Sequence, residues 1–284
     1  MSRISIVTDS TSYLPPDLVA QYGITVAPQV LIWGDQSFRD GVDISPQEFY
    51  NRLKSAKIMP STSQVSPATM QSIFQPLVER GSSVLGIFIS TKLSGTIQSA
   101  QQAKELMGSA GDRVTIVDSL STSMSLGLIT LAAARAAEQG ASLEECVSVS
   151  EQARERSGVF FAVDTLEFLH RGGRIGGATR FIGSALNLKP ILALRDGRVE
   201  GIERIRTRHK AHDRLLELLV ERVQGKQGIR IAALHANAEA DARALLERAA
   251  KPLGPVEKIL SEVSPVVGTH AGPGTVGLAF LYEE

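Results

Sequence analysis

The 284-residue sequence predicts an α/β protein of two domains, the first with a parallel sheet and the second with an α+β arrangement. At about 150 residues per domain, the length suggests roughly two domains. In the first half, three apolar strands each run into a loop of Ser, Thr and Asp that opens a helix, which is typical of a parallel sheet. In the second half, an Asp-Gly pair separates two neighbouring strand-like runs and predicts an antiparallel hairpin.

The elements of the first half follow from apolar runs and from the positions of proline. Proline is favoured in the first turn of a helix, so Pro15, Pro16 and Pro46 indicate helix starts. The predicted elements are, in chain order, a strand at 4–7, a helix opened by Pro15 to Asp17, a small β excursion over 24–45, a helix at 46–55, a strand at 84–89 followed by a helix, a strand at 113–117 and a helix through Ala137.

The second half reads as adjacent strands mixed with helices. Asp196-Gly197 is the predicted hairpin turn, and leucines recur on one face of the segment 210–223, which indicates an amphipathic helix. The predicted elements are a strand at 159–163, short helices at 165–170 and 176–186, hairpin strands at 190–195 and 198–206, a helix at 210–223, a strand at 229–235, a helix at 240–250, and strands at 256–261 and 275–282.

We place the domain boundary near residue 156, which gives an N-terminal α/β domain at 1–156 and a C-terminal α+β domain at 157–284. Ligands of α/β sheets bind outside the carboxyl ends of the strands, and often between domains. We therefore expect a ligand cleft between the two halves.

Composition excludes several classes of protein. Hydrophobic residues make up 43% and charged residues 21%, which does not fit a disordered chain. A net charge of zero and an aromatic content of 5% argue against a nucleic-acid-binding protein. The single cysteine, Cys146, rules out a disulfide framework and a cysteine-rich zinc site, so we expect no metal. It lies in a helical pattern at 141–153, so we expect a buried, inert thiol. No signal peptide or bilayer-spanning apolar run is visible, so we expect a cytoplasmic protein.

Common catalytic and nucleotide-binding signatures are missing from the sequence. There is no GxxxxGK[ST] phosphate loop and no GxSxG nucleophile elbow. The segment 272–277 matches GxGxxG, but the residues after it read as a strand. A dinucleotide site needs a helix start facing the pyrophosphate, so we interpret these glycines as a turn and expect no cofactor.

Four hydroxyl-rich loops are candidates for binding an anion, at 8–12, 61–64, 90–96 and 119–125. Helix N-termini offer unpaired N–H groups, and Ser and Thr hydroxyls add neutral donors. Each loop alone is explained better by ordinary helix capping. Several such loops at one sheet edge shift the balance towards a carboxylate or phosphate site without deciding it. We place His270 in a glycine-rich loop, where it is either structural or close to a ligand.

The segment 171–210 is basic, with ten Lys and Arg residues against three acidic residues. It is either a solvated hairpin or a docking surface for an acidic or phosphate-bearing partner. Apolar residues in the same region are explained best by an ordinary core, with the wall of an apolar pocket as the alternative. We assign the following residues as candidates for that wall: Ile175, Phe181, Ile182, Leu186, Leu188 and Ile191.

Eight stretches in order along the chain resemble the DegV family of bacterial fatty-acid-binding proteins. They are IVTDST (6–11), FRDGVD (38–43), PSTSQ (60–64), ISTKLSGT (89–96), VDS (117–119), LEFLHRGGRI (166–175), LKPI (188–191) and THAGPG (269–274). Each stretch is weak alone, but the ordered set is highly specific and covers essentially the whole chain.

The resemblance implies a two-domain α/β fold that encloses one long-chain fatty acid, such as palmitate, stearate or oleate, between the domains. Its carboxylate is expected at Thr62, Ser63, Ser94 and Gly95, with His270 nearby. An acyl chain needs a dry apolar tunnel, and hydroxyls with helix-terminal N–H groups satisfy a carboxylate without a buried lysine.

The resemblance also implies a partner, a separate ATP-dependent fatty acid kinase that makes acyl-phosphate for phospholipid synthesis. Arg174 and one of Arg204 or Arg206 match the docking region of the family, and we add Arg171 from the same basic segment. Transient contact with a membrane is a further expectation, whereas binding of nucleic acid is not.

Two other functions compete with a fatty-acid carrier that has no catalytic machinery of its own. One is a hydrolase or transferase acting on an acyl substrate, with Ser94 or Ser63 as nucleophile and His270 as base, although no oriented triad is visible. The other is a regulatory protein that binds a partner through 171–210 alone.

Overall fold

The computed structural model of the protein describes residues 3–182 and 188–283. Its strands are, in chain order, β1 (Ile4–Asp9), β2 (Thr25–Ala27), β3 (Val30–Trp33), β4 (Gln36–Arg39), β5 (Ser61–Ser63), β6 (Ser83–Phe88), β7 (Val114–Asp118), β8 (Ser157–Ala162), β9 (Lys189–Arg195), β10 (Arg198–Ile205), β11 (Gln227–His235), β12 (Glu257–Glu262) and β13 (Val276–Glu283).

The α-helices are α1 (Pro16–Tyr22), α2 (Pro46–Leu53), α3 (Pro67–Glu79), α4 (Thr96–Leu106), α5 (Ser123–Glu138), α6 (Leu143–Arg156), α7 (Glu167–Arg171), α8 (Arg208–Val223), α9 (Glu239–Leu253) and α10 (Pro265–Ala271). Short 3-10 helices lie at Ser10–Ser12, Gly108–Arg113 and Gly176–Phe181. The last of these begins where the sequence predicts a helix over 176–186.

The first sheet is parallel, with strand order β2-β1-β6-β7, which confirms the parallel α/β sheet predicted for this half. Its central strands are buried on both faces, as strands of a parallel sheet covered by helices must be. The carboxyl ends of β1, β6 and β7 lie at one edge, so the hydroxyl-rich loops that follow them share that edge.

The second sheet is mixed, with strand order β10-β9-β8-β13-β11-β12, which confirms the predicted α+β arrangement. Only the β11–β12 pair is parallel among its described neighbours. Asp196 and Gly197 both adopt positive φ, at 48° and 79°, as a two-residue type I′ hairpin turn requires. The first strand of this sheet begins at Ser157, directly after α6.

A third, small antiparallel sheet has the order β4-β3-β5 and differs in part from the predicted excursion over 24–45. Residues 25–27 form β2, the edge strand of the parallel sheet. The strand β5 was not predicted, because Ser-Thr-Ser has no apolar residue to mark it. It forms by pairing Thr62 with Leu31 of β3.

Helices α5 and α6 pack between the two large sheets. Helices α3 and α4 cover the outer face of the first sheet, and α8 and α9 cover the outer face of the second. Helix α5 is rich in Ala and Leu and is buried almost all round, as expected for a helix between two layers. One core therefore runs through both sheets, and it includes Leu85, Leu128 and Leu234.

Two helices, α3 and α10, were not predicted. Helix α10 places His270 in a last helical turn, so the assignment of His270 to a glycine-rich loop was wrong. The start signals were present, since the Ser264 hydroxyl accepts a hydrogen bond from the Val267 N–H and Pro265 occupies the first turn.

The GxGxxG segment is a turn, as predicted. Gly272 and Gly274 adopt positive φ, and β13 follows directly. Cys146 is buried in α6. Across the described helices, none has both the length and the apolar character that crossing a bilayer requires.

Candidate ligand-binding site

A cavity lies between the second sheet and the carboxyl edge of the first. It encloses about 1060 Å³ of empty space, its open mouth included, which suits a ligand pocket. Its lining residues are Thr11, Gln29, Thr62, Ser63, Gln64, Ile89, Leu93, Ser94, Thr122, Ser123, Val159, Phe161, Leu169, Arg174, Leu194, Val199, Leu234, Val263, Val266, Val267, His270, Ala271 and Thr275.

The cavity has a polar mouth and a largely apolar interior. Ser63, Gln64 and Arg174 line it and are also exposed to solvent, so they mark its opening. The interior wall includes Val159 and Phe161, which are buried. Among the described residues that line the cavity, Arg174 is the one that is permanently charged.

Thr62 and His270 meet at this cavity from opposite ends of the chain. Strand β5 carries Thr62 and α10 carries His270, and 2.8 Å separates Thr62 Oγ1 from His270 Nε2. Burial lowers the pKa of His270 to about 4, and the nearby positive charge of Arg174 adds to the effect. The imidazole is therefore neutral at pH 7, and its Nδ1 is buried without a hydrogen-bond partner among the described residues.

The His270 ring packs against Gly172, at the end of α7. A Cβ atom built on Gly172 would overlap His270 Nδ1, so only glycine leaves room for the ring. Arg174 follows Gly172 by two positions in the chain. Its Nε donates to the Leu93 carbonyl at 3.1 Å, and its Nη1 donates to the Gly172 carbonyl at 2.7 Å. The segment HRGGR thus supports the imidazole and places one guanidinium at the mouth.

Ser94 and Gly95 lie at the start of α4. The Ser94 and Thr96 hydroxyls are 2.8 Å apart, and Gln29 Nε2 donates to Thr96 Oγ1 at 2.7 Å. Gly95 precedes the first residue of α4 and does not line the cavity. The Gln64 side chain packs where a Cβ of residue 95 would be, so the glycine permits this close approach.

Most side chains of the hydroxyl-rich loops serve the fold. The Asp9 carboxylate accepts hydrogen bonds from the Thr11 N–H and hydroxyl and from the Ile89 N–H, so it joins the ends of β1 and β6. Ser119 donates to the Phe88 carbonyl. Helix capping and loop support therefore account for much of the hydroxyl pattern, and the cavity uses a subset of it.

Of the six predicted acyl-chain residues, the five that the structure describes lie away from the cavity wall. Strand side chains alternate between faces, so Leu194 of β9 lines the cavity while Ile191 packs on the opposite face. Ile175 lies in the core and Ile182 is 49% exposed.

Phe181 packs beside Gly201, and Leu188 is half-buried off the wall. Leu186 lies outside the described residues. The wall comes instead from alternate positions on β8, on β11 and in α10, including Val159, Phe161, Leu234 and Val267. The alternation of side chains along β8 could have identified Val159 and Phe161 from the sequence. The pairing of distant strands could not have been predicted in this way.

Of the predicted docking arginines, only Arg174 lines the cavity. Arg171 is exposed and forms an ion pair with Glu167 at 2.5 Å. The guanidinium of Arg204 lies 5.4 Å from the centre of the Phe181 ring. Arg206 is exposed, with no side-chain partner among the described residues.

The geometry does not support the hydrolase alternative. His270 contacts the Thr62 hydroxyl, not that of Ser63 or Ser94. Its Nδ1 faces Gly172, and no described carboxylate orients it as a serine triad requires. In the described parts of the chain, no three His, Cys, Asp or Glu side chains come together in a way that could hold a metal ion.

Known proteins match this chain along nearly its whole length. The model of one family, described as "Uncharacterised protein, DegV family", matches residues 3–283. A DegV domain-containing protein of Deinococcus radiodurans is 38% identical over 276 residues, covering 97% of this chain and 97% of that protein.

Two solved structures share the fold. A DegV family protein from Thermus thermophilus, described by its fatty acid binding, has a TM-score of 0.93 and 38% identity, covering 99% of this chain and 100% of that one. DegV of Bacillus subtilis, described as a fatty acid binding protein, has a TM-score of 0.90 and 31% identity, covering 100% of both chains.

Proposed function

Because this chain belongs to the DegV family, we propose that it binds one long-chain fatty acid in the cavity between its two large sheets. The observation that carries the proposal is the cavity itself, an apolar chamber whose mouth holds the Thr62–His270 pair. The fatty acid binding described for the relatives from Thermus thermophilus and Bacillus subtilis supports the same ligand.

The carboxylate is held by neutral donors at the mouth. With its proton on Nε2, His270 donates to Thr62, which frees the Thr62 hydroxyl proton for a carboxylate oxygen. Ser63 and Ser94 supply further hydroxyls. The N-terminus of α4, which begins directly after Gly95, favours negative charge. Arg174 balances the charge from the edge of the site without being buried.

The acyl chain extends into the apolar interior along Val159, Phe161 and Leu234. Each methylene removed from water contributes about 0.8 kcal/mol, so the chain supplies most of the affinity and the mouth sets the orientation. Palmitate, stearate and oleate are the ligands we propose. This role is that of a carrier, with no reaction catalysed by the chain alone.

We further propose that the carrier presents the carboxylate to a separate ATP-dependent kinase, which forms the acyl-phosphate. The carboxylate end lies at the solvent-exposed mouth beside Arg174, as phosphoryl transfer requires. Arg171, Arg204 and Arg206 are exposed cations suited to an acidic or phosphate-bearing surface.

Titration of the delipidated protein with palmitate and oleate tests the ligand. We expect Thr62→Val and Ser94→Ala each to weaken both acids about fivefold to tenfold, because each removes a hydrogen bond to a charged group. Thr115→Val is the matched control, since Thr115 is a half-buried strand threonine remote from the cavity wall. Equal affinity in all four proteins would contradict the proposed carboxylate site.

Acyl-phosphate formation with a fatty acid kinase and ATP tests the partner. We expect Arg204→Ala/Arg206→Ala to raise the carrier concentration needed for half-maximal rate while oleate binding stays unchanged. Arg80→Ala/Arg222→Ala removes the same charge at exposed positions outside 171–210 and serves as the control. Equal rates for both double variants would exclude docking through these arginines.

A further inference from the structure

The cavity contains a second polar group that the carboxylate site does not use. Thr122 and Ser123 line it where β7 leads into α5, and neither hydroxyl has a hydrogen-bond partner among the described residues. Ser123 is only 5% exposed. Buried hydroxyls in native proteins are nearly always hydrogen-bonded, so two unpartnered ones on a cavity wall point to a ligand atom.

The backbone presents these hydroxyls to the cavity instead of to the helix. Thr122 occupies the N-cap of α5, where threonine ordinarily accepts an N–H bond, yet its side chain makes no cap bond. Ser123 has a φ of 52°, a left-handed conformation that is unfavourable for a residue with a side chain. Such strain concentrates at ligand sites.

This group is separate from the carboxylate site in the fold. Thr62, Ser94 and His270 belong to β5, the loop before α4, and α10, whereas Thr122 and Ser123 begin α5 in the layer between the sheets. No hydrogen bond among the described side chains links the two groups.

The charges around the cavity define the kind of atom that suits the second group. Arg174 at the mouth is the one permanent cation in the part of the wall that the structure describes, and His270 is neutral. A second carboxylate inside would therefore lack a counter-ion and be costly to bury. A neutral oxygen avoids this cost, and hydroxyls can both donate to it and accept from it.

We infer that the cavity selects fatty acids that carry a hydroxyl or carbonyl oxygen along the chain, held by Thr122 and Ser123. The inference rests on the proposed function, because it assumes a carboxylate at Thr62 and Ser94. It makes the α5 start a specificity determinant that distinguishes oxygenated chains from plain ones.

The test compares stearate with a series of hydroxystearates whose hydroxyl occupies successive carbons, bound to delipidated protein. The variants are Thr122→Val, which keeps the side-chain shape, and Ser123→Gly, which also relieves the positive φ. The readout is the ratio of the stearate Kd to the hydroxystearate Kd. We expect one position in the series to bind best, and the double variant to lower its ratio about fivefold to tenfold.

The stearate Kd itself should stay constant or improve in the double variant. Ser94→Ala is the control, since it should weaken stearate and hydroxystearate equally and leave the ratio unchanged. Thr122→Val alone should lower the ratio in the same direction.

Three results would overturn the inference. A flat ratio across positions and variants would mean that the hydroxyls hold only water, with fatty-acid binding intact. A loss of stearate affinity in the double variant as large as that in Ser94→Ala would move the carboxylate to the α5 start. Failure of wild-type protein to bind any of the acids would remove the proposed function together with this inference.

Discussion

At the residue scale, the position of the His270 imidazole depends on the missing side chain at Gly172. Gly172 has an ordinary φ of −75°, so alanine there does not strain the backbone, but its Cβ would overlap the ring. We expect Gly172→Ala to displace His270 from Thr62 and to weaken fatty-acid binding about tenfold. It should also lower the free energy of unfolding by about 1–3 kcal/mol, because the buried ring must move.

The neighbouring Gly173 is the matched control. Its φ is 70° and its Cβ position is open. Gly173→Ala should therefore lower the free energy of unfolding by about 1–2 kcal/mol through backbone strain and leave binding unchanged. Calorimetric titration and denaturant unfolding of both variants separate the two effects. Unchanged binding in Gly172→Ala would show that the ring position is not needed.

Asp40 makes stability depend on pH. The carboxyl group is buried, accepts a hydrogen bond from the Ser10 hydroxyl at 2.7 Å, and leaves Oδ1 unpartnered among the described residues. Burial raises the pKa of Asp40 to about 7. The folded protein thus holds a proton that the unfolded chain loses near pH 4, so this stabilisation is present at low pH and is lost as pH rises to about 7.

We expect the free energy of unfolding of Asp40→Asn, relative to wild type, to increase between pH 4 and pH 7 by up to about 1.4 kcal/mol per pH unit. Above about pH 7 the difference should level off. Asparagine keeps an acceptor for Ser10 and cannot ionise. Parallel pH profiles for the two proteins would contradict the assignment. The nearby charge of Asp9 also contributes to raising the pKa of Asp40, so it takes part in the difference between the two proteins.

At the element scale, the hairpin of β9 and β10 is held against the first sheet. The Ser90 hydroxyl at the end of β6 donates to the Gly197 carbonyl at 2.9 Å. Gly197 has a φ of 79°, and a Cβ there would overlap Ser90 Oγ. This contact fixes the strands that bring Leu194 and Val199 to the cavity wall.

We expect Gly197→Ala to lower the free energy of unfolding by about 1–3 kcal/mol beyond the cost of the positive φ, because the turn must move away from Ser90. Gly225→Ala provides the reference, since Gly225 has a φ of 73° and an open Cβ position. Equal losses in denaturant unfolding would show that the contact contributes nothing.

The secondary-structure elements also show how much of the structure could be predicted from the sequence. Apolar runs predicted the central strands and Asp196-Gly197 predicted the hairpin, because hydrophobic runs and turn-forming residues are local features of the sequence. β5 was not predicted, because its own residues carry no strand pattern and it becomes a strand only by pairing with β3. The Thr62–His270 contact spans 208 residues and follows only from tertiary packing. The family resemblance, and not the periodicity of the sequence, predicted that these two residues share one site.

The acyl-chain wall shows a different failure. Ile191 was assigned from its position among basic residues, but the strand alternation places Leu194 on the cavity face. Strand side chains alternate between the two faces of a sheet. Residues separated by an odd number of positions, such as Ile191 and Leu194, therefore lie on opposite faces, here one in the core and one on the cavity wall. Assigning the wall required knowledge of which face of β9 meets α8, and that is a long-range property.

At the scale of the whole molecule, a zero net charge conceals an uneven distribution. Arg195, Arg198, Arg206 and Lys210 are exposed and have no ion-pair partner among the described residues, whereas Arg214 is shared by three glutamates. The exposed basic residues of the segment 171–210 form a cationic surface, and Arg174 of the same segment lines the mouth of the cavity. This distribution is the basis for the proposed partner, and added salt should weaken that association.

The layered architecture links ligand and stability. One core passes through both large sheets and the helices between them, and the cavity lies along it. A ligand that binds only the folded state adds about 2.7 kcal/mol at a concentration of one hundred times its Kd. We expect oleate to raise the Tm of delipidated protein, and Thr62→Val/Ser94→Ala to reduce that increase. Equal increases in both proteins would place the carboxylate elsewhere.

The central claim, that the cavity holds a fatty acid, is tested most directly by mass spectrometry of the lipid that co-purifies with the protein. Organic extraction of the purified chain should release close to one equivalent of a long-chain fatty acid, with or without a chain oxygen, and less from Thr62→Val/Ser94→Ala. An empty extract, together with no binding of added palmitate or oleate, would contradict the account.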